Sequence, residues 1–143
     1  MKRKSLMNKH IDVVYGKFSN IDTSNILSIL EERVLLERRI GKIVYFFVSD
    51  EELLDINRVH LNHDYYTDII TFDYSTSRKL EAEIYISVDR VKENGNDFKL
   101  ELIRVMCHGV LHMLGYKDKR EKEILVMRDK ESEWINYIVS RES

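Results

Sequence analysis

Asp97-Phe98-Lys99-Leu100-Glu101-Leu102-Ile103-Arg104-Val105-Met106-Cys107-His108-Gly109-Val110-Leu111-His112-Met113-Leu114-Gly115 is the stretch that organises the chain. Leu100, Leu102, Ile103, Val105, Met106, Val110, Leu111 and Leu114 recur at helical spacing, so it predicts a core helix. Asn94-Gly95-Asn96 marks a turn before it, Asp97 is its candidate cap, and Gly115 stands where a helix-ending glycine belongs. His108 and His112 are four residues apart and share one face of that helix, with Cβ atoms about 5–6 Å apart, close enough for two imidazoles to share an ion. Gly115 lets the backbone turn back, and Asp118 arrives three residues later with a carboxylate. Two imidazoles and a carboxylate leave coordination positions open, as in a catalytic and not a closed structural zinc site. His108, His112 and Asp118 are therefore the expected ligands of one zinc ion per chain.

Upstream, an amphipathic helix is expected from about Ile26 to Ile40, stopped by Gly41, followed by a buried strand over Ile43-Val44-Tyr45-Phe46-Phe47-Val48. Ser49 or Asp50 would cap a helix from near Glu51 to near His60, with Leu53, Leu54 and Ile56 on its inner side. Thr67 to Phe72 and Ala82 to Val88 read as two strands of a hairpin joined by the polar Asp73 to Glu81. A last helix, Arg120 to Val139, would bury Ile124, Leu125, Met127, Trp134, Ile135 and Ile138. Strands mixed with helices, without regular alternation, predict a single α+β domain spanning residues 1–143. The expected architecture is a small mixed sheet of about four strands packed with about five helices, with a zincin-like metal helix.

The chain has 143 residues, the size of one domain, and its 43% hydrophobic and 34% charged composition is that of a globular protein. No apolar run approaches the roughly 20 residues of a membrane span, and the basic Met1-Lys2-Arg3-Lys4 reads as a solvated tail, not a secretion signal. One cysteine, Cys107, cannot build a disulfide framework, which agrees with a cytoplasmic location and with burial in the helix. A net charge of −2 leaves any nucleic-acid contact to a local basic patch, for which Lys117, Lys119 and Arg120 are candidates. His60 and His63 could form a second metal site, and surface histidines are the commoner reading; His10 has less to support it. Met106, Met113 and Met127 read as core fillers.

The stretch His108 to Asp118 resembles the signature of the YbeY family of bacterial metal-dependent endoribonucleases, His-Gly-x-Leu-His-x-x-Gly-Tyr-Asp-His. The resemblance extends to Asn57, to Thr67-Asp68-Ile69-Ile70-Thr71-Phe72 and to Glu83-Ile84-Tyr85-Ile86-Ser87. It implies single-strand-specific endoribonuclease activity in ribosomal RNA maturation and quality control, metal-activated water attacking a phosphodiester, and single-stranded RNA or ribosomal RNA and a ribosomal subunit as partners. Three departures stand out: Lys117-Asp118 replaces the final Asp-His, Leu61 falls where the family has an arginine, and Ala82-Glu83 replaces Gly-Asp. An anionic third ligand makes a bound metal a weaker Lewis acid than three histidines would. Glu83 could be an outer carboxylate to one of the histidines, although an exposed strand position is the simpler expectation. No residue is assigned as general base.

Three alternatives accompany this reading. A zinc metallopeptidase-like hydrolase also uses paired histidines, but it needs a glutamate where Gly109 stands. A non-haem Fe(II) oxygenase shares the two-histidine, one-carboxylate set. A ribosome assembly factor without catalysis would hold the metal structurally.

Overall fold

The computed structural model describes residues 10–142, so the basic tail at Met1 to Lys4 lies outside the described residues. Four strands form one sheet in the order β1-β2-β4-β3: β1 (Ile11–Val14), β2 (Ile40–Val48), β3 (Ile69–Asp73) and β4 (Leu80–Ser87). β1 and β4 each pair parallel with β2, and β3 pairs antiparallel with β4, with Ile69 opposite Ile86 and Thr71 opposite Ile84. Among the described residues five α-helices accompany them: α1 (Ser24–Leu35), α2 (Asp50–Leu61), α3 (Val88–Asn94), α4 (Phe98–Met113) and α5 (Glu121–Arg141), with a short 3₁₀ turn at Gly16–Phe18. This is the expected small α+β domain, and its hairpin is the expected one.

Alternation along the strands decides which face is covered. Ile43, Tyr45 and Phe47 of β2 and Ala82, Ile84 and Ile86 of β4 are buried in one cluster with α1, α4 and α5, which contribute Leu30, Met106, Val110, Trp134 and Ile138. The Tyr45 hydroxyl donates to the Met106 carbonyl at 2.8 Å and ties α4 to the middle of the sheet. On the other face Phe46 and Tyr85 stack at 4.5 Å between ring centroids, and Phe72 meets Tyr85 edge-on. α2 packs on β3 and β4, burying Leu53, Leu54 and Asn57.

Four expectations about the elements change. α1 ends at Leu35, not near Ile40: Leu36 is 69% exposed, so further turns would find no core, and Ile40 and Gly41 instead begin β2 beside β4. Gly41 is thus a strand residue. On α5, Ile124 and Leu125 are exposed, because the buried stripe runs Met127, Glu131, Trp134, Ile138 at alternating steps of four and three residues. Leu125 lies off that stripe, and Ile124 sits in the first turn of the helix. On α2 the inner face carries Asn57 in place of a fully buried Ile56. The second hairpin strand ends at Ser87, whose hydroxyl accepts the Arg90 N–H at 3.2 Å and caps α3.

The helix starts follow the cap chemistry. Ser49 Oγ accepts from the Glu52 N–H at 3.1 Å, and the Glu52 carboxylate accepts from the Ser49 N–H at 2.7 Å, a complete capping box. Asp97 accepts from the Leu100 N–H at 3.1 Å and opens α4. No helix among the described residues is long and apolar enough to cross a membrane.

Candidate metal centre

α4 has two faces by sequence. Leu102, Ile103, Val105, Met106, Val110 and Leu111 are buried, whereas Glu101, Arg104, His108 and His112 run down the opposite side at steps of three and four residues. Glycine after His108 permits a close approach, since a Cβ at Gly109 would lie 3.1 Å from Ile69 Cδ1 and 3.2 Å from Ile84 Cδ1. That close approach seats the histidine turn against β3 and β4.

The end of α4 delivers the third group. Gly115 has φ of +107°, a conformation that L side chains rarely adopt. Its N–H donates to the His112 carbonyl at 3.0 Å and the Tyr116 N–H donates to the Leu111 carbonyl at 3.1 Å, the paired bonds of a Schellman ending. Beyond it, one oxygen of Glu123 accepts from the Lys119 and Arg120 N–H groups at 3.1 and 3.0 Å. Asp118 is held between these two fixed points.

The predicted trio does converge. Asp118 Oδ2 lies 3.2 Å from His108 Nε2 and 3.3 Å from His112 Nε2, and the two rings meet edge-on at 4.6 Å between centroids. One ligand atom from each residue falls within 4.8 Å of the others, so the group could hold a metal ion. His108 is the most enclosed of the three side chains, while His112 and Asp118 are 37% and 35% exposed, which leaves the assembly open on one side.

Behind the trio stands a carboxylate that sequence reasoning missed. Glu131 of α5 is 2% exposed, and its Oε2 lies 2.6 Å from His108 Nδ1. Its other oxygen accepts from Arg104 Nη1 at 3.2 Å and lies 3.5 Å from Arg128 Nη1. Burial alone would raise the Glu131 pKa, but the His108 hydrogen bond and the Arg104 charge outweigh it and hold the carboxyl below its ordinary value. An ionised carboxylate only accepts, so His108 Nδ1 is the donor, and a neutral ring then carries its lone pair on Nε2, the atom facing Asp118.

With the His108 ring deprotonated, as a metal ligand must be, its Nε2 lone pair and the Asp118 carboxylate oxygen 3.2 Å away are two electron-pair donors facing each other. Such an arrangement is stabilised by a cation between them, and the mixed nitrogen and oxygen donor set, backed by a carboxylate on the far ring nitrogen, suits zinc. The residues present therefore fit the metal.

Arg104 completes the surroundings. Its guanidinium donates to Glu101 and Glu131 and sits 4.0 Å from Asp68, and the Glu101 hydrogen bond, against the opposing effect of burial, raises its pKa. Asp68, Arg104, His108, Asp118 and Arg128 line a polar cleft of about 200 Å³.

Other candidates fall elsewhere. Glu83 shares its sheet face with Tyr85, opposite the face bearing Ala82 and Ile84 that meets α4, so the outer carboxylate is Glu131 instead. His60 rests edge-on against Phe72, and His63 stacks on Tyr65 at 5.1 Å; neither joins a ligand group among the described residues. Lys117, Lys119 and Arg120 are exposed on the turn carrying Asp118. Leu61, the last residue of α2, is 39% exposed. Cys107 is fully buried, and burial raises its thiol pKa, as a core residue requires. The signal that could have found Glu131 is its place in the buried stripe of α5, where Met127, Trp134 and Ile138 are apolar.

Comparison with known proteins gives this arrangement a lineage. The family model described as Endoribonuclease YbeY matches residues 8–139. A Flavobacterium psychrophilum protein named endoribonuclease YbeY is 54% identical over 97 residues, covering 65% of this chain and 69% of its own length. The Flavobacterium johnsoniae protein of the same name is 47% identical over 103 residues, covering 69% and 74%. The solution structure of TM1509 from Thermotoga maritima superposes with a TM-score of 0.64 at 27% identity, covering 90% of this chain and 88% of that one. With a family model spanning nearly the whole fold and the histidine turn in place, the chain belongs to the YbeY family.

Proposed function

We propose that this chain is a zinc-dependent endoribonuclease that cuts single-stranded RNA in the cytoplasm during ribosomal RNA maturation and quality control, acting on ribosomal subunits. The observation that carries the reading is the convergence of His108, His112 and Asp118, with His108 and Asp118 lining a polar cleft, in a chain whose relatives are named endoribonucleases. One zinc ion held by these three would supply a Lewis acid for a phosphoryl oxygen and an acidified water. The protein's own part is positional. Glu131 keeps the His108 ring in one tautomer, the Schellman turn presents Asp118, and Arg104 stabilises the buried carboxylate behind the site.

The peptidase alternative lacks its general base, because glycine stands where the glutamate is needed. A zincin base would have to occupy position 109, where even a Cβ comes within 3.2 Å of Ile69 and Ile84. The assembly-factor reading shares the metal trio and differs only in turnover, so the cleavage assay separates them.

The test pairs metal analysis with cleavage of single-stranded RNA. Purified protein is expected to hold one zinc per chain and to cut RNA slowly, with EDTA abolishing cleavage. His112→Ala is expected to lose both metal and cleavage while keeping its circular dichroism spectrum. Stoichiometric iron after anaerobic purification would overturn the choice of metal. RNA binding without turnover would favour the assembly factor, and metal-dependent casein cleavage would favour the peptidase.

A further inference from the structure

The cleft beside the metal trio has an electrostatic problem. Asp68 and Asp118 line it, and Glu101 and Glu131 lie against Arg104 at its wall. Its two arginines are not equivalent. Arg104 spends Nε and Nη2 on Glu101 and Nη1 on Glu131, with Asp68 4.0 Å away, so its charge is already neutralised by carboxylates. An RNA phosphodiester entering this lining needs a cation with donors to spare.

We propose that Arg128 is that cation: its guanidinium takes a non-bridging oxygen of an RNA phosphodiester in the cleft next to His108 and Asp118. Three observations place it there. Arg128 lines the same cleft as the two metal ligands. Its side chain is 61% exposed, and among the described residues its ion pair is a single 3.5 Å contact to Glu131 Oε1. The other oxygen of that carboxylate is on His108 Nδ1, so only one carboxylate separates the guanidinium from the ligand ring. A planar fork with several free N–H groups suits a phosphate, and the loose contact to Glu131 costs little to release. Arg128 is thus a substrate-binding residue, a role that rests on the endoribonuclease reading.

The test is binding of a fluorescein-labelled single-stranded RNA to the zinc-loaded protein by anisotropy, read before cleavage, with probe integrity checked on a denaturing gel and affinity measured across salt concentrations. Arg128→Ala is expected to weaken binding about tenfold and to flatten the slope of log affinity against log salt by about 0.7, the loss of one phosphate contact on a single strand. Arg128→Lys should keep the slope and lose part of the affinity. Arg78→Ala, in the loop joining β3 to β4 at the far end of the hairpin from Asp68, should match wild type. Zinc content should be equal in all four proteins. Wild-type affinity and slope in Arg128→Ala would overturn the inference while leaving the nuclease reading intact, as would an equal loss in Arg78→Ala or a loss of zinc in Arg128→Ala. If wild type neither binds nor cuts RNA, both fall.

Discussion

Replacing Glu131 with glutamine tests how the buried carboxylate governs the metal trio. The amide has the same shape but cannot satisfy both sides. If its oxygen stays with Arg104 and Arg128, its NH₂ faces His108 Nδ1 at the position now 2.6 Å from Oε2. Nδ1 must then accept, which moves the ring proton to Nε2 and takes away the lone pair aimed at Asp118. If the amide turns over, its oxygen serves His108 but its NH₂ is pressed against two guanidinium groups. Removing one partner of a buried pair typically costs about 3–5 kcal/mol, and because Arg104 keeps Glu101, about 2 kcal/mol is the better figure here. For a domain of this size that corresponds to a fall in Tm of about 6 °C. Loss of such an outer carboxylate weakens metal binding about 10–100-fold. Zinc competition against a chromophoric chelator, at a temperature where circular dichroism shows both proteins folded, measures the second effect, and thermal melts in EDTA measure the first. Zinc affinity within twofold of wild type together with an unchanged Tm would refute the reasoning.

Two further substitutions probe the frame around the site. Gly109→Ala should stay within about 1 kcal/mol of wild type in urea denaturation, because the helix-propensity gain offsets small shifts of two isoleucine side-chain ends, whereas Gly109→Glu should destabilise by more than about 3 kcal/mol. A stable Gly109→Glu protein would reopen the peptidase reading. Glu52→Gln addresses pH: the Ser49 backbone N–H holds the Glu52 carboxyl below its ordinary pKa, so its stabilisation is complete above the unfolded carboxylate pKa and is lost as pH falls through the lower folded value. Wild type should therefore exceed the variant in denaturant midpoint at neutral pH, with the gap closing in acid; a gap that persists there would show that the ionised carboxylate is not its source.

What the amino-acid order revealed about this fold depends on how local each cause is. The hairpin and α4 were legible because strand alternation, the Asn94 to Asp97 turn and Gly115 all act within a few residues. Ile11 to Val14 was not, since four residues carry little periodicity and β1 exists as a strand by pairing with Ile43 to Phe46 some thirty positions on. The metal trio divides the same way. His108, His112 and Asp118 are brought together by one helical turn and one Schellman ending, both written in adjacent residues. The proton on His108 is decided 23 residues away, by the one charged member of the buried stripe on α5. That Glu131 breaks an apolar pattern can be seen in the sequence, but its partner follows from the register of α5 against α4, which is set by Met127, Trp134 and Ile138 packing into the shared core. Local spacing therefore nominates the candidate ligands, whereas tertiary packing selects the tautomer that a ligand role for His108 requires.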